Sequence, residues 1–121
     1  MAPPRAPRLE LKAKASEPFV PDEAFVEDAL GNAQSGVRTP YVDVPTARWI
    51  GAKAGPFRCL FQGYKIELDE QRLASLYKDH DDYVKKVRAS ASRLESERWL
   101  TPVDAAAIVR EAQARTTVPL R

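Results

Sequence analysis

Leu68–Ala114 reads LDEQRLASLYKDHDDYVKKVRASASRLESERWLTPVDAAAIVREAQA. The stretch predicts three consecutive helices with start signals written between them. Asp69 precedes a polar turn and is an N-cap candidate, because its carboxylate can accept from an amide that lacks an intrahelical partner. Leu73, Leu76 and Tyr77 then fall at i, i+3 and i+4 and make one apolar stripe. A second start lies in Asp79-His80-Asp81-Asp82, where three carboxylates meet the positive end of a helix dipole. Asp81 and Asp82 reach Lys85 and Lys86 at i+4 in the favourable acid-first order, each pair adding only about 0.2–0.5 kcal/mol. The apolar face of this helix is Tyr83, Val84, Val87, Ala91 and Leu94, and Trp99-Leu100 is expected to end it. Thr101-Pro102-Val103-Asp104 opens the third helix, with a cap, a proline suited to the first helical position and an acid near the capping-box position. Ala105, Ile108, Val109 and Ala112 supply its stripe. The join is so short that the last two helices should form an antiparallel or strongly angled hairpin, with Trp99 near its elbow.

Upstream of Leu68 the character changes. Seven of the ten prolines lie in the first 45 residues. Met1–Pro7 (MAPPRAP) blocks both helix and central strand. Leu9 and Leu11 alternate with Glu10 and Lys12, which permits a short edge strand. Residues 16–22 are expected to be loop, anchored by Phe19, Val20, Phe25 and Val26. Residues 28–36 (DALGNAQSG) are rich in turn formers. Residues 37–49 (VRTPYVDVPTARW) are expected to run extended over a surface with a short edge pairing, because Pro40 and Pro45 restrict the residues before them. Residues 57–66 (FRCLFQGYKI) read as a short strand or an apolar loop. The chain divides into a Pro-rich extended strap with short strands (1–67), a three-helix unit (68–115) and a tail (116–121). The expected class is mainly α with an irregular, extended N-terminal half. A segment with so little regular structure usually gains its order by wrapping a larger body.

The totals describe an ordinary globular composition in one domain of 121 residues, 44% hydrophobic and 30% charged. Nineteen basic groups face 17 acidic ones. No Lys/Arg patch dominates, so nucleic acid is not an expected partner. No apolar run approaches the roughly 18 residues of a membrane-crossing helix, so no membrane span is expected. The N-terminus lacks the apolar core of a secretory signal, and a single cysteine excludes an intrachain disulfide. The compartment is left open.

Few residues carry chemistry. His80 is the only histidine, and its neighbours are carboxylates at a helix start, where histidines commonly cap or pack. Cys59 sits beside Leu60 and Phe61, which marks it as a small buried hydrophobe rather than an activated nucleophile. One Cys and one His do not complete a four-ligand zinc site. Asp79, Asp81 and Asp82 lack the glycine and terminal glutamate of a calcium loop. Ser35 precedes Gly36 but follows Ala33 by two, so the G-x-S-x-G elbow is missing. No Gly-rich phosphate loop occurs. No catalytic residue, cofactor site or metal site is expected. Arg38, Tyr41, Arg48 and Trp49 form a polar-aromatic cluster on the extended segment. They either line a substrate or ligand site, with Arg38, Tyr41 and Trp49 as its candidates, or fasten the strap to its support.

Three pieces together, PPRAPRLE, DALGNAQSGVRTPYVDVPTARW and LYKDHDDYVKKVRASASRLESERWLTPVDAAAIV, resemble the C-terminal region of a bacterial family of large proteins labelled alpha/beta hydrolase domain-containing proteins. The resemblance covers nearly the whole chain. Its most specific run is Gly31-Asn32 through Gly36-Val37-Arg38-Thr39-Pro40-Tyr41-Val42-Asp43-Val44-Pro45, followed by Leu76-Tyr77, His80 and Tyr83-Val84. It implies the C-terminal part of an esterase-like α/β-hydrolase fold. It also implies that the family's nucleophile elbow and catalytic histidine lie upstream of the matching pieces, and that His80 occupies a position in the helical tail. Two functions follow as expectations. The chain is a structural or cover region of such a hydrolase, inactive alone and partnered by a core domain from another or longer chain. Alternatively, it is a small stand-alone binding or structural module.

Overall fold

The computed structural model describes residues 5–10, 26–51 and 63–115. The elements run α1 (Pro40–Asp43), β1 (Ala47–Ile50), β2 (Tyr64–Glu67), α2 (Glu70–Leu76), α3 (His80–Ser96) and α4 (Pro102–Ala114). Among the described residues the chain is mainly helical, with a single two-stranded sheet.

The three long-range helices start where their caps require. The Asp69 carboxylate accepts from the Arg72 amide, Asp79 from the Asp82 amide, and the Thr101 hydroxyl from the Asp104 amide. Each bond satisfies one of the amides that a helix start leaves without a partner. Of the two expected i, i+4 pairs, Asp82–Lys86 forms at 3.0 Å, and Asp81–Lys85 is not among the ion pairs of the described residues. α3 ends at Ser96, earlier than Trp99-Leu100. Arg98 adopts a left-handed φ of 67°, and the amides of Trp99 and Leu100 turn back onto the Leu94 carbonyl. Trp99 does lie in the elbow, but it is half-buried rather than enclosed. Leu94, whose carbonyl takes both amides, is enclosed, with 1% of its surface exposed.

α3 and α4 pack antiparallel. The start of α3 meets the end of α4 through a His80 Nε2 bond to the Ala112 carbonyl (3.2 Å). Val44, Leu73, Tyr77, Tyr83, Val87 and Ala112 form one buried cluster, joined at its edge by Leu76, Val84, Ile108 and Val109. The residue that caps α1 therefore shares a core with α2, α3 and α4. The periodic stripes of the sequence are its walls. The Tyr77 and Tyr83 rings meet edge to face at 5.0 Å, a geometry that aligns a positive ring edge with a negative ring face. The Tyr77 hydroxyl donates to the Pro45 carbonyl at 2.6 Å and so pins the strap to α2.

The strap is not extended throughout. Residues 40–43 make one helical turn, entered through an extended Thr39 (ψ 164°) with Pro40 at the first helical positions. Proline has its φ preset for that place and no amide to leave unsatisfied. Pro45 then disfavours helical geometry at Val44, and the turn stops. β1 pairs antiparallel with β2, Ala47 opposite Glu67 and Ile50 opposite Tyr64. Of residues 57–66, read as a short strand or an apolar loop, residues 64–66 belong to β2, which continues to Glu67, and residues 57–62 lie outside the described residues. Leu9 and Glu10 lie in no regular element, although the Glu10 carbonyl accepts from the Val26 amide. Leu11 and Lys12, the anchors Phe19, Val20 and Phe25, and Cys59 lie outside the described residues.

Candidate functional site

The residues singled out for a site lie where the strap meets the helices, on a tight loop, α1 and β1. The loop folds first. The Asp28 and Gln34 amides bond the Asn32 and Val26 carbonyls, and the Asp28 carboxylate accepts from the amides of Leu30 and Asn32. Gly31 holds a φ of +84°, and a Cβ there would come within 2.5 Å of Arg48 Nε. The left-handed φ is what favours glycine here, since the flexible Arg48 side chain can shift to admit a Cβ.

This loop presents Asn32, whose exposure is only 1%. Its amide nitrogen donates to the Ala47 carbonyl (3.1 Å), and its amide oxygen accepts from the Trp49 amide (2.7 Å). One side chain so replaces a neighbouring strand along the outer edge of β1. The bonds are those a peptide group would make.

Arg38 leans back to the same loop. Its Nη2 donates to Asp28 Oδ2 at 2.7 Å and to the Val42 carbonyl at 3.0 Å. Arg48 turns to the loop as well, with Nε on the Gly31 carbonyl (3.3 Å) and a longer ion pair to Glu27 (3.7 Å). Tyr41 and Trp49 are brought together. Their ring centroids lie 6.0 Å apart, edge to face, and the indole Nε1 donates to the Tyr41 carbonyl at 3.0 Å. Lys65 Nζ stands 5.6 Å over the indole ring. The Tyr41 hydroxyl donates to Glu111 Oε2 at 2.8 Å and ties α1 to α4. Burial, and then the adjacent Glu111 carboxylate, push the Tyr41 phenol up to about 12. Tyr41 and Trp49 remain 38% and 40% exposed.

The structure therefore joins Tyr41 and Trp49 into one exposed aromatic pair and directs Arg38 and Arg48 to the 27–32 loop. Glu111, Lys65, Asp28 and Asn32 complete the constellation. Sequence reading did not single them out, because these contacts span intervals of 10 to 70 residues with no local period to announce them. His80 is engaged by the Ala112 carbonyl, which requires the hydrogen on Nε2. The Ser35 hydroxyl accepts from the Glu10 amide at 2.6 Å. Among the described residues, no group of three or more His, Cys, Asp or Glu side chains is placed to hold a metal ion, and no helix is long and apolar enough to cross a membrane.

A family model described as an alpha/beta hydrolase domain matches residues 1–110. The chain belongs to the alpha/beta hydrolase domain family. No curated protein and no solved structure matches it. The run that carried the resemblance, from Gly31 to Pro45, is thus the part of this family member that forms the loop, α1 and their ties to β1 and α4.

Proposed function

We propose that this chain is a C-terminal structural or cover region of an esterase-like alpha/beta hydrolase, contributing no catalytic group of its own. In this reading a core domain from another or longer chain carries the nucleophile and the catalytic histidine. One observation supports it most. The polar side chains of the candidate cluster, and His80 with them, are committed to other parts of the same chain. A nucleophile, a base and an orienting group need to converge on one point, and these side chains point to separate carbonyls and carboxylates.

The alternative of a stand-alone binding module draws its support from the exposed Tyr41–Trp49 pair with Lys65 over it, a surface able to line a ligand. Arg38 is the weakest member of that lining, since Asp28 and the Val42 carbonyl already hold it.

The test is turnover of a short-chain p-nitrophenyl ester by the purified chain. The expected rate equals that of buffer. Turnover that disappears in His80→Ala overturns the proposal. A core polypeptide bearing a G-x-S-x-G elbow is expected to hydrolyse the ester faster with this chain bound. A core equally active without it removes the cover role.

A further inference from the structure

Among the described residues the hairpin has one closed edge and one open edge. Leu68 donates its amide to the Thr46 carbonyl at 2.9 Å, so Thr46 and Leu68 are a hydrogen-bonded pair of the antiparallel ladder. Bonded and non-bonded pairs alternate along such a ladder. Arg48–Ile66 and Ile50–Tyr64 are then bonded pairs, whereas Ala47–Glu67 and Trp49–Lys65 turn their peptide groups outward. The bonds from Asn32 to Ala47 and Trp49 agree with this assignment, and they close the β1 side. On the β2 side the outward peptide groups belong to Lys65 and Glu67. Among the described residues no strand joins that edge, and all four residues of β2 are exposed, Ile66 at 49% and Tyr64 at 42%.

We propose that the β2 edge pairs antiparallel with β2 of a second copy of this chain, about a two-fold axis through Ile66. The argument is charge complementarity. The outward groups of both copies must face one another, which restricts the register to steps of two residues. A register centred on residue 65 sets Lys65 against Lys65, and one centred on residue 67 sets Glu67 against Glu67. Only the register centred on Ile66 sets Lys65 against Glu67 twice. Opposite charges directly across a ladder stabilise it and like charges destabilise it. A lysine on an edge strand usually discourages pairing with other chains. Here a glutamate two residues on, 2.6 Å from that lysine on the same face and 3.4 Å from Arg115 Nη2, gives the edge both signs of charge. On the other face Ile66 meets its own copy in a close non-bonded pair, and Tyr64 meets Leu68. Four residues form a small contact, so the association is a concentration-dependent equilibrium and not an obligate dimer.

Sedimentation velocity of the whole chain over a range of concentrations tests the pairing. A monomer–dimer equilibrium that weakens with added salt is expected. Lys65→Glu and Glu67→Lys should each shift the dimer fraction to at least several-fold higher concentration, with unchanged circular dichroism. An equimolar mixture of the two variants restores opposite charges at both positions and should recover the dimer. A chain that stays monomeric throughout leaves the edge to a strand of a different protein and overturns the proposal. So does a dimer indifferent to both substitutions, or a mixture no better than either variant alone.

Discussion

Replacing Asn32 with alanine removes both bonds that close the β1 edge. The Ala47 carbonyl is left buried without its donor, and the Trp49 amide is left partly buried without its acceptor. A buried polar group deprived of its partner costs about 1–3 kcal/mol. Two such groups, discounted for the partial exposure at Trp49, give about 2–5 kcal/mol. Water has little access to repair the loss, since Asn32 is 1% exposed and Ala47 is fully enclosed. Set against the roughly 5–15 kcal/mol of a typical domain, this is a large fraction for one polar side chain. Asn32→Asp separates the two bonds: it keeps the acceptor for Trp49 and loses the donor to Ala47. Urea denaturation followed by tryptophan fluorescence measures the loss, and hydrogen exchange at the Trp49 amide locates it. Asn32→Ala should lower the midpoint strongly, and Asn32→Asp should also lower it at neutral pH. An unchanged midpoint with a still-protected Trp49 amide in Asn32→Ala would refute the assignment of Asn32 as a substitute strand.

Two further predictions concern the helices and the aromatic ties. Leu94→Ala should cost about 2–5 kcal/mol because the residue is almost wholly enclosed, whereas half-buried Trp99 forfeits only part of the transfer energy of an enclosed side chain. Urea midpoints of the two variants give the ranking, and a larger loss at Trp99 contradicts it. The Tyr41 phenol is raised from 10.0 to about 12, and Tyr77 and Tyr83 are shifted upward by burial first. A folded value above the unfolded one means stability that is complete below pH 10 and drains as pH rises through about 12. The thermal midpoint should fall across that window. Tyr41→Phe should show a shallower fall, and an equal slope would exclude Tyr41 as a contributor.

The helical half was legible because its determinants are local. A cap and the amide it satisfies lie three residues apart, as at Asp69, Asp79 and Thr101. The stripes that form the core repeat every three or four. Each signal fits within one window of sequence, and each was recovered in space. The elbow was less legible. The helix stops at Ser96 because the backbone turns left-handed at Arg98, and arginine does not advertise that conformation as glycine would. Trp99 therefore stands farther out than its size invites one to expect.

The strap resisted reading for a different reason. Its residues are read by what they do to nearby backbone: Asn32 as a turn former, Pro40 as a restriction on Thr39. Thr39 is indeed extended, but Pro40 also starts a helical turn, and Asn32 spends its amide on a strand 15 and 17 residues away. The same distance explains the double meaning of Tyr41, Trp49 and Arg38. A ligand site and a tie between elements need the same side chains, with donors and flat rings on an irregular backbone. Only the partner separates the two uses. Tyr41 finds Glu111 across 70 residues, and Arg38 finds Asp28 across 10. Where both partners belong to the chain itself, the polar groups hold the strap down, and what they leave for another molecule is the uncovered flank of the Tyr41 and Trp49 rings.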